Sequence, residues 1–338
     1  MKIIFFGTSN VALPILEALS KHHEIVAVVT MPDAPVGRSQ SLTESPVSVL
    51  ANEMKLKILK PEKVKGNQEF LSQLQNFVSP PPRLPPHGGG IKKEFPPLDG
   101  EGWGGVELFV VVSYGKILPL EIINLPKFKT INVHFSLLPK YRGPSPIQSA
   151  LLNGESKSGT SIFILDELVD HGPVLSTLEV AIDGDDNALS LSQKMAFASA
   201  KLIVSTLEDY IQGGTTPKEQ DHSQASFTEH IDKAHGKIDW SKSARQIYNQ
   251  FRAFYPWPGI WTTWKGKKVK ILDCITTELQ KGGTTDTYGY GQVLDGGIVV
   301  CGSDSFLQIK TLQMEGKKAT KISDFLNGNK EFVGGVLV

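Results

Sequence analysis

The first apolar run, KIIFFG from Lys2 to Gly7, closes on glycine and gives way to NVALPILEALSK. There Val11, Ile15, Leu16 and Leu19 recur at helical spacing. EIVAVVT, Glu24 to Thr30, is the next apolar run. Unbroken runs of this kind predict buried strands, and strand–helix–strand in this rhythm predicts a parallel unit. Gly7 suits a close approach by a ligand or loop, and Ser9 or Asn10 suits a helix cap. A polar loop, MPDAPVGRSQSLTESPVSVLANE, then runs into a helix. LKILKP reads as a strand, NQEFLSQLQNF as a helix, VELFVVVSYG (Val106–Gly115) and TINVHF (Thr130–Phe135) as strands. SPIQSALLNG reads as a helix with Pro146 in its first turn. GTSIFIL and GPVLSTLEVAI are extended pieces around a polar corner, DELVDHG. A long amphipathic stretch from Ala188 ends on the glycine pair Gly213–Gly214.

The pattern changes near residue 206. A polar stretch, TTPKEQDHSQASFTEHIDKAHG, reads as a linker, and SARQIYNQFRAFYPWPG as a short helix broken at Pro256. Short strands separated by Gly-rich turns follow, which predicts a small antiparallel barrel. One segment fits neither half. Ser79 to Gly105 holds seven Pro and seven Gly in 27 residues, which suits neither a sheet strand nor a stable helix. An error in the reported coding sequence is the preferred reading, ahead of a disordered insertion and a proline-rich docking segment.

At 338 residues the chain has room for two cores. Apolar residues at 40% and charged residues at 21% describe an ordinary globular protein. Cys274 and Cys301 form no disulfide scaffold and lack metal-ligand spacing. The start MKIIFFG lacks a signal-peptide pattern, and no apolar run is long enough to span a bilayer, so no membrane contact and a cytoplasmic location are expected. Net charge is zero, yet Ile231 to Asp273 holds nine Lys/Arg against three Asp/Glu. That local excess suits either an anionic partner or a solvated lysine-rich hairpin.

Candidate chemistry centres on INVHFSLLPKYRGPSP. Asn132 and His134 stand at i and i+2 of a strand and share a face. At the carboxyl end of a parallel strand that face looks into the crevice where ligands bind. Asp170, in the polar corner, completes a set suited to acyl or formyl transfer without a covalent intermediate. The amide donates to the carbonyl oxygen, the imidazole stabilises the oxyanion or passes a proton, and the carboxylate orients the imidazole. The plainer reading makes His134 a satisfied strand residue and Asp170 a turn cap. His171 is the alternative working histidine. No third ligand stands at metal-site spacing, no G-x-S-x-G elbow is present, and GTSNVA is not a dinucleotide fingerprint. Neither a metal nor a nicotinamide is therefore expected. Arg142 and Gly143 belong to a rigid loop after the strand, where Arg142 either holds that loop or meets an anion.

INVHFSLLPKYRGPSPIQ, DELVDHGP and IDWSKSA…FRAFYPWPGIWT together resemble the methionyl-tRNA formyltransferases. The start FFGTSNVALPILEAL, the loop MPDAPVGR and the ending LQIKTLQMEGKKATKISDFLNG are similar to the same family. The first block alone marks the wider folate-dependent formyltransferase superfamily. The resemblance implies a Rossmann-like parallel-sheet domain over residues 1–205, a linker over 206–230 and an OB-like antiparallel β-barrel domain over 231–338. It implies transfer of the formyl group of 10-formyltetrahydrofolate, as co-substrate, to methionine on initiator tRNA. Asn132, His134 and Asp170 take the catalytic positions. Ser113, Tyr114, Gly115, Ile117, Leu118 and Pro119, with Leu137, Leu138 and Pro139, take the folate-binding ones. Arg38, Arg252, Lys265, Lys267 and Lys268 are the expected tRNA contacts, with Trp257, Trp261 and Trp264 available either for bases or for the barrel core. Arg38 is followed by Ser39, Gln40 and Ser41 where the family often carries lysines, and Phe135 replaces a usually small residue. A monomer is expected. Rival readings are a formyltransferase for a sugar amine or small phosphorylated amine, and an inactive tRNA-binding relative.

Overall fold

The computed structural model describes residues 1–36, 40–78, 105–278 and 288–338. The anomalous segment therefore lies outside the described residues except for Gly105, and Arg38 lies outside them too. The chain divides into two compact units, one of Met1–Pro139, Thr160–Leu178 and Met195–Ala225, the other of Lys140–Gly159, Glu179–Lys194 and Ser226–Val338.

In the first unit, β1 (Lys2–Gly7) is followed by α1 (Leu13–His22), β2 (Glu24–Val29), a short hairpin of β3 (Ala34–Val36) and β4 (Ser41–Thr43), α2 (Pro46–Glu53), β5 (Ile58–Leu59) and α3 (Gln68–Val78). Next come β6 (Leu108–Val112), α4 (Leu120–Ile123) and β7 (Thr130–His134). After α5 (Pro146–Leu152), which belongs to the second unit, β8 (Lys157–Ile164) and β9 (Val174–Ala181) complete a seven-stranded sheet of order β5-β2-β1-β6-β7-β8-β9. The strands from β5 to β7 run parallel, and β8 is antiparallel to β7. This is the Rossmann-like arrangement expected. Every residue of β6 is buried, as are Ile3 to Gly7's strand neighbours Ile4, Phe5 and Phe6, which is why these runs are continuously apolar. Phe70, Leu74 and Phe77 of α3 join Phe6 and Phe109 in one cluster. Each such phenyl or leucyl burial stabilises by about 1.5–3 kcal/mol.

The chain builds outward from β1 to β5, then returns to place β6 on the other side of β1. That reversal opens a crevice beyond the carboxyl ends of the strands. Gly7 stands there, where an added Cβ would meet Phe5, Ala12 and the Val112 carbonyl. The expected Ser9 or Asn10 cap is replaced by a 3₁₀ turn over Asn10–Ala12, and Ser9 donates instead to the Ser113 hydroxyl at 2.8 Å. Tertiary pairing took that side chain from the local role.

The second unit holds α7 (Ala244–Ala253), β10 (Ile260–Trp264), β11 (Lys267–Thr277), β12 (Val293–Leu294), β13 (Ile298–Cys301), β14 (Ser305–Met314), β15 (Thr320–Lys321) and α8 (Ile322–Gly328). α6 (Ala188–Ile211) starts in this unit and ends in the first. The sheet runs β10-β11-β14-β13-β12, with β15 beside β14, and its pairings are antiparallel. This is the small barrel-like sheet expected. Alternation along β11 sets it: Val269 and Ile271 point inward, Lys268 and Lys270 outward. α7 begins with a capping box of Ser243 and Gln246 and packs on α5. Trp264 packs edge-on against Phe332 and Phe325, at 4.9 and 6.2 Å, so it belongs to the core. Cys274 and Cys301 are buried and unbridged, and burial pushes the Cys301 thiol up to about 12. No helix among the described residues is long and apolar enough to cross a membrane.

Candidate active site

β7 positions the central pair. Its backbone lies between β6 and β8, Asn132 opposite Val111 and Phe163, His134 opposite Ser161. His134 is 6% exposed and its ring meets Phe163 edge-on at 6.5 Å. Asn132, two residues earlier on the same face, is half-buried. The Asp170 carboxylate lies 3.5 Å from His134 Nδ1, its side chain 12% exposed. The structure thus brings Asp170 to His134 across 36 residues of chain.

The loops on either side are pinned by groups that sequence reading missed. Ser161, fully buried, donates to the Ser136 carbonyl at 2.7 Å and accepts from the Leu138 backbone N–H at 3.0 Å. This fixes the course of Leu137, Leu138 and Pro139, all half-buried. Phe135 is buried at 7% exposure. In the corner, Asp166 accepts from the Leu168 N–H at 2.9 Å and bonds His171 Nδ1 at 2.7 Å. His171 also stacks on His222. His171 is therefore committed to the corner itself. Gln220 donates to the carbonyls of Asp170 and Gly172. Nothing local in sequence marks Ser161 or Gln220, because each acts on a loop far away along the chain.

The loop after β6 lies at the strand reversal. Ser113 takes φ +48°, and Thr8 donates to the Tyr114 carbonyl at 2.7 Å. Tyr114 and Leu118 are buried, Ser113, Gly115 and Ile117 exposed, and Pro119 half-buried. Burial pushes the Tyr114 phenol up, and its ring lies edge-on to Phe6 at 5.6 Å. Lys116 ties the loop to the carbonyls of Pro61 and Glu62 at 2.7 Å each. Ile117 remains 78% exposed on this anchored loop. An amide, an imidazole and a carboxylate thus stand at the end of β7, and the loop carrying Ile117 follows the neighbouring strand β6. Among the described residues no group of three or more His, Cys, Asp or Glu is placed to hold a metal ion.

The model of the formyl transferase family matches residues 104–207, and that of the formyl transferase C-terminal domain matches residues 230–330. The methionyl-tRNA formyltransferase of Caldicellulosiruptor saccharolyticus is 38% identical over 100% of both chains. The chain belongs to the methionyl-tRNA formyltransferase family. It is a formyltransferase enzyme. In fold it is similar to WlaRD, a sugar 3N-formyl transferase solved in the presence of dTDP and 5-N-formyl-THF (TM-score 0.64, 19% identity, 94% of this chain and 99% of that one). It is similar also to an N-formyltransferase from Helicobacter canadensis solved with folinic acid and dTDP-3-aminofucose (TM-score 0.63, 19% identity, 91% and 98%).

In the second unit of this formyltransferase the expected RNA contacts divide. Arg252 is 3% exposed. Its guanidinium donates to the Asp183 and Asp186 carbonyls at 3.3 and 3.1 Å and to Asn249 Oδ1 at 2.7 Å. It lies inside the unit rather than on its surface, because α7 carries it on the buried face. Lys265 is exposed, paired with Glu331 at 3.2 Å and set over the Trp264 ring at 4.8 Å. Lys267 is exposed, and Lys268 lies over Trp261 at 3.7 Å. Burial, then the neighbouring Lys270 and Lys233, hold the Lys268 ammonium below the ordinary lysine range. Trp257 is 55% exposed. Arg142 is 3% exposed; its backbone exchanges hydrogen bonds with Ser226 and Thr228, and its guanidinium faces Phe227 at 5.9 Å. Gly143, at φ +109°, passes so close to Thr228 that a Cβ would crowd that residue's hydroxyl and carbonyl. That packing gives the pair its place in a rigid loop.

Proposed function

We propose that the enzyme transfers the formyl group of 10-formyltetrahydrofolate to the α-amino group of methionine on initiator tRNA, giving formylmethionyl-tRNA for translation initiation. The observation that carries this reading is the His134–Asp170 pair at 3.5 Å, set at the end of β7 beside Asn132, in a chain of this family. The unprotonated amine attacks the formyl carbon. A carbon–nitrogen bond forms and an electron pair moves onto the carbonyl oxygen. The Asn132 amide and a His134 ring N–H donate hydrogen bonds to that oxyanion. Collapse restores the carbonyl and breaks the bond to the folate nitrogen, which takes the proton the amine gives up. Asp170 supports that proton movement by orienting His134. No atom changes oxidation state, so the step needs no hydride carrier.

The folate fits the loop Ser113–Pro119 and the segment Leu137–Pro139. Backbone groups of this loop would read the edges of a flat heterocycle, and exposed Ile117 offers an apolar contact. The tRNA is held through phosphate contacts around the β10–β11 hairpin, by Lys265, Lys267 and Lys268, with exposed Trp257 available to a base. The organisation that goes with this reading is a catalytic domain over 1–205, a linker over 206–230 and a tRNA-binding, OB-like domain over 231–338, in a cytoplasmic monomer. The likeness to two solved amino-sugar formyltransferases supports a second reading, a sugar amine as acceptor. The test supplies 10-formyltetrahydrofolate with either charged initiator tRNA or a dTDP-linked amino sugar. The expected acceptor is the tRNA. A higher kcat/KM on the sugar would replace this reading with the second.

A further inference from the structure

The geometry points to Gln220 as the positioning residue that holds the Asp170 carboxylate against His134. This inference rests on the role given to Asp170 above and deepens it. Asp170 sits at φ +50°, in the left-handed region, which Asp enters more readily than most residues but which neighbouring contacts must still select over the commoner conformations. Gln220 does the fixing. It is 8% exposed, and its amide donates to the Asp170 carbonyl at 3.0 Å and to the Gly172 carbonyl at 2.7 Å. A primary amide has two N–H donors, and here both go to carbonyls flanking His171. The stretch that carries Gln220 is itself fastened on either side. Lys218 exchanges two backbone hydrogen bonds of 2.8 Å with Val174, and the His222 ring stacks on His171 with centroids 4.0 Å apart and planes 6° from parallel. On the opposite side, Gly172 lies against the Ile164 carbonyl so closely that an added Cβ would collide with it. The corner is thus clamped between the end of β8 and a strap of residues 218–222. Without the amide, the Asp170 backbone is released from its left-handed conformation and the carboxylate moves with it. A displacement of about 1 Å at such a site is enough to cost a large part of the rate.

The experiment compares Gln220→Met, which removes both donors, and Gln220→Glu, which keeps the shape but presents a carboxylate to the two carbonyls. Each is assayed for formylation of charged initiator tRNA, alone and combined with Asp170→Asn, with tRNA binding and circular dichroism counting the folded molecules. The expected result is a kcat lower by at least about tenfold in each single variant, with KM for both substrates within about threefold of wild type. The double variant Asp170→Asn/Gln220→Met is expected to be no slower than Asp170→Asn alone, since Gln220 acts through that carboxylate. A purely structural glutamine would lower the melting temperature and leave kcat per folded molecule unchanged. Full kcat in Gln220→Met, or multiplying losses, overturns the assignment of Gln220 while leaving Asp170 in place. A near-normal rate for Asp170→Asn overturns both.

Discussion

The end of β7 and the β10–β11 hairpin handle polar groups in opposite ways. At the first, His134 is 6% exposed, its partner carboxylate stands at one separation, and buried hydroxyl and amide groups pin the flanking loops. On the second, Lys267 and Lys270 are exposed on a regular strand, and Lys265 and Lys268 lean over tryptophan rings. Reaction at one carbon requires fixed positions, because an oxyanion is stabilised only by donors aimed at it. Attraction of a polyanion requires charge density, and its members are individually replaceable. The second unit also contains the opposite treatment of charge, since Arg252 is buried and spent on carbonyls.

The sharpest division between the two regions is expected from His134→Ala. It should lower kcat by about 10²–10⁴, the range for losing one acid–base group, with tRNA affinity unchanged. Single-turnover formylation and filter binding measure the two quantities; a near-normal turnover rate would remove His134 from the chemistry. Next in size, Arg252→Ala should destabilise the protein by about 3 kcal/mol, because it leaves the Asp183 and Asp186 carbonyls and Asn249 without their buried partner. A shift in urea midpoint is the readout, and loss of RNA affinity at unchanged stability would instead put this arginine on the binding face.

Asp186 supplies a test by pH. Burial alone would push its carboxyl up, but bonds from Lys194, the Asp183 N–H and Ser190 outweigh it and hold the group below the usual carboxylate range. A depressed native value means the stabilisation is present above the unfolded pKa of about 3.9 and lost as pH falls through the native one. Asp186→Asn should therefore cost about 1 kcal/mol at pH 7 and progressively less below about pH 4. A deficit in urea stability that stays constant down to pH 3 would mean shape, not charge, is what this side chain contributes. The smallest effect belongs to the lysines of the β10–β11 hairpin. Lys268→Ala should weaken tRNA binding a few-fold and reduce the slope of log affinity against log salt by about one. An unchanged slope would separate this lysine from the phosphate contacts.

Much of this was legible in the chain. The apolar runs within KIIFFG and VELFVVVSYG read as buried strands, because they are short, unbroken and rich in β-branched and aromatic residues. Asn132 and His134 share a face because a strand alternates sides, and the alternation V-K-I in β11 set Lys270 outward and its neighbours inward. Arg252 was not legible in the same way. A basic residue on an amphipathic helix reads as exposed, and only the carbonyls before α6, supplied from elsewhere in the chain, drew it inside. The same holds for Ser9, taken from helix capping by Ser113, and for Trp264, placed in the core by Phe325 and Phe332.

Sequence by itself determined what repeats along the chain at short range: the strands, the helices, the faces they turn inward, and the excess of positive charge after Ile231. Tertiary structure alone decided which distant groups meet. It brought Asp170 to His134, laid Gln220 across the corner and drew Arg252 beneath the surface. The physical reason is range: a residue's neighbours in sequence fix its backbone preferences and its face. The hydrogen-bond partners that a buried polar group must find are supplied by loops whose proximity exists only after the sheet has formed.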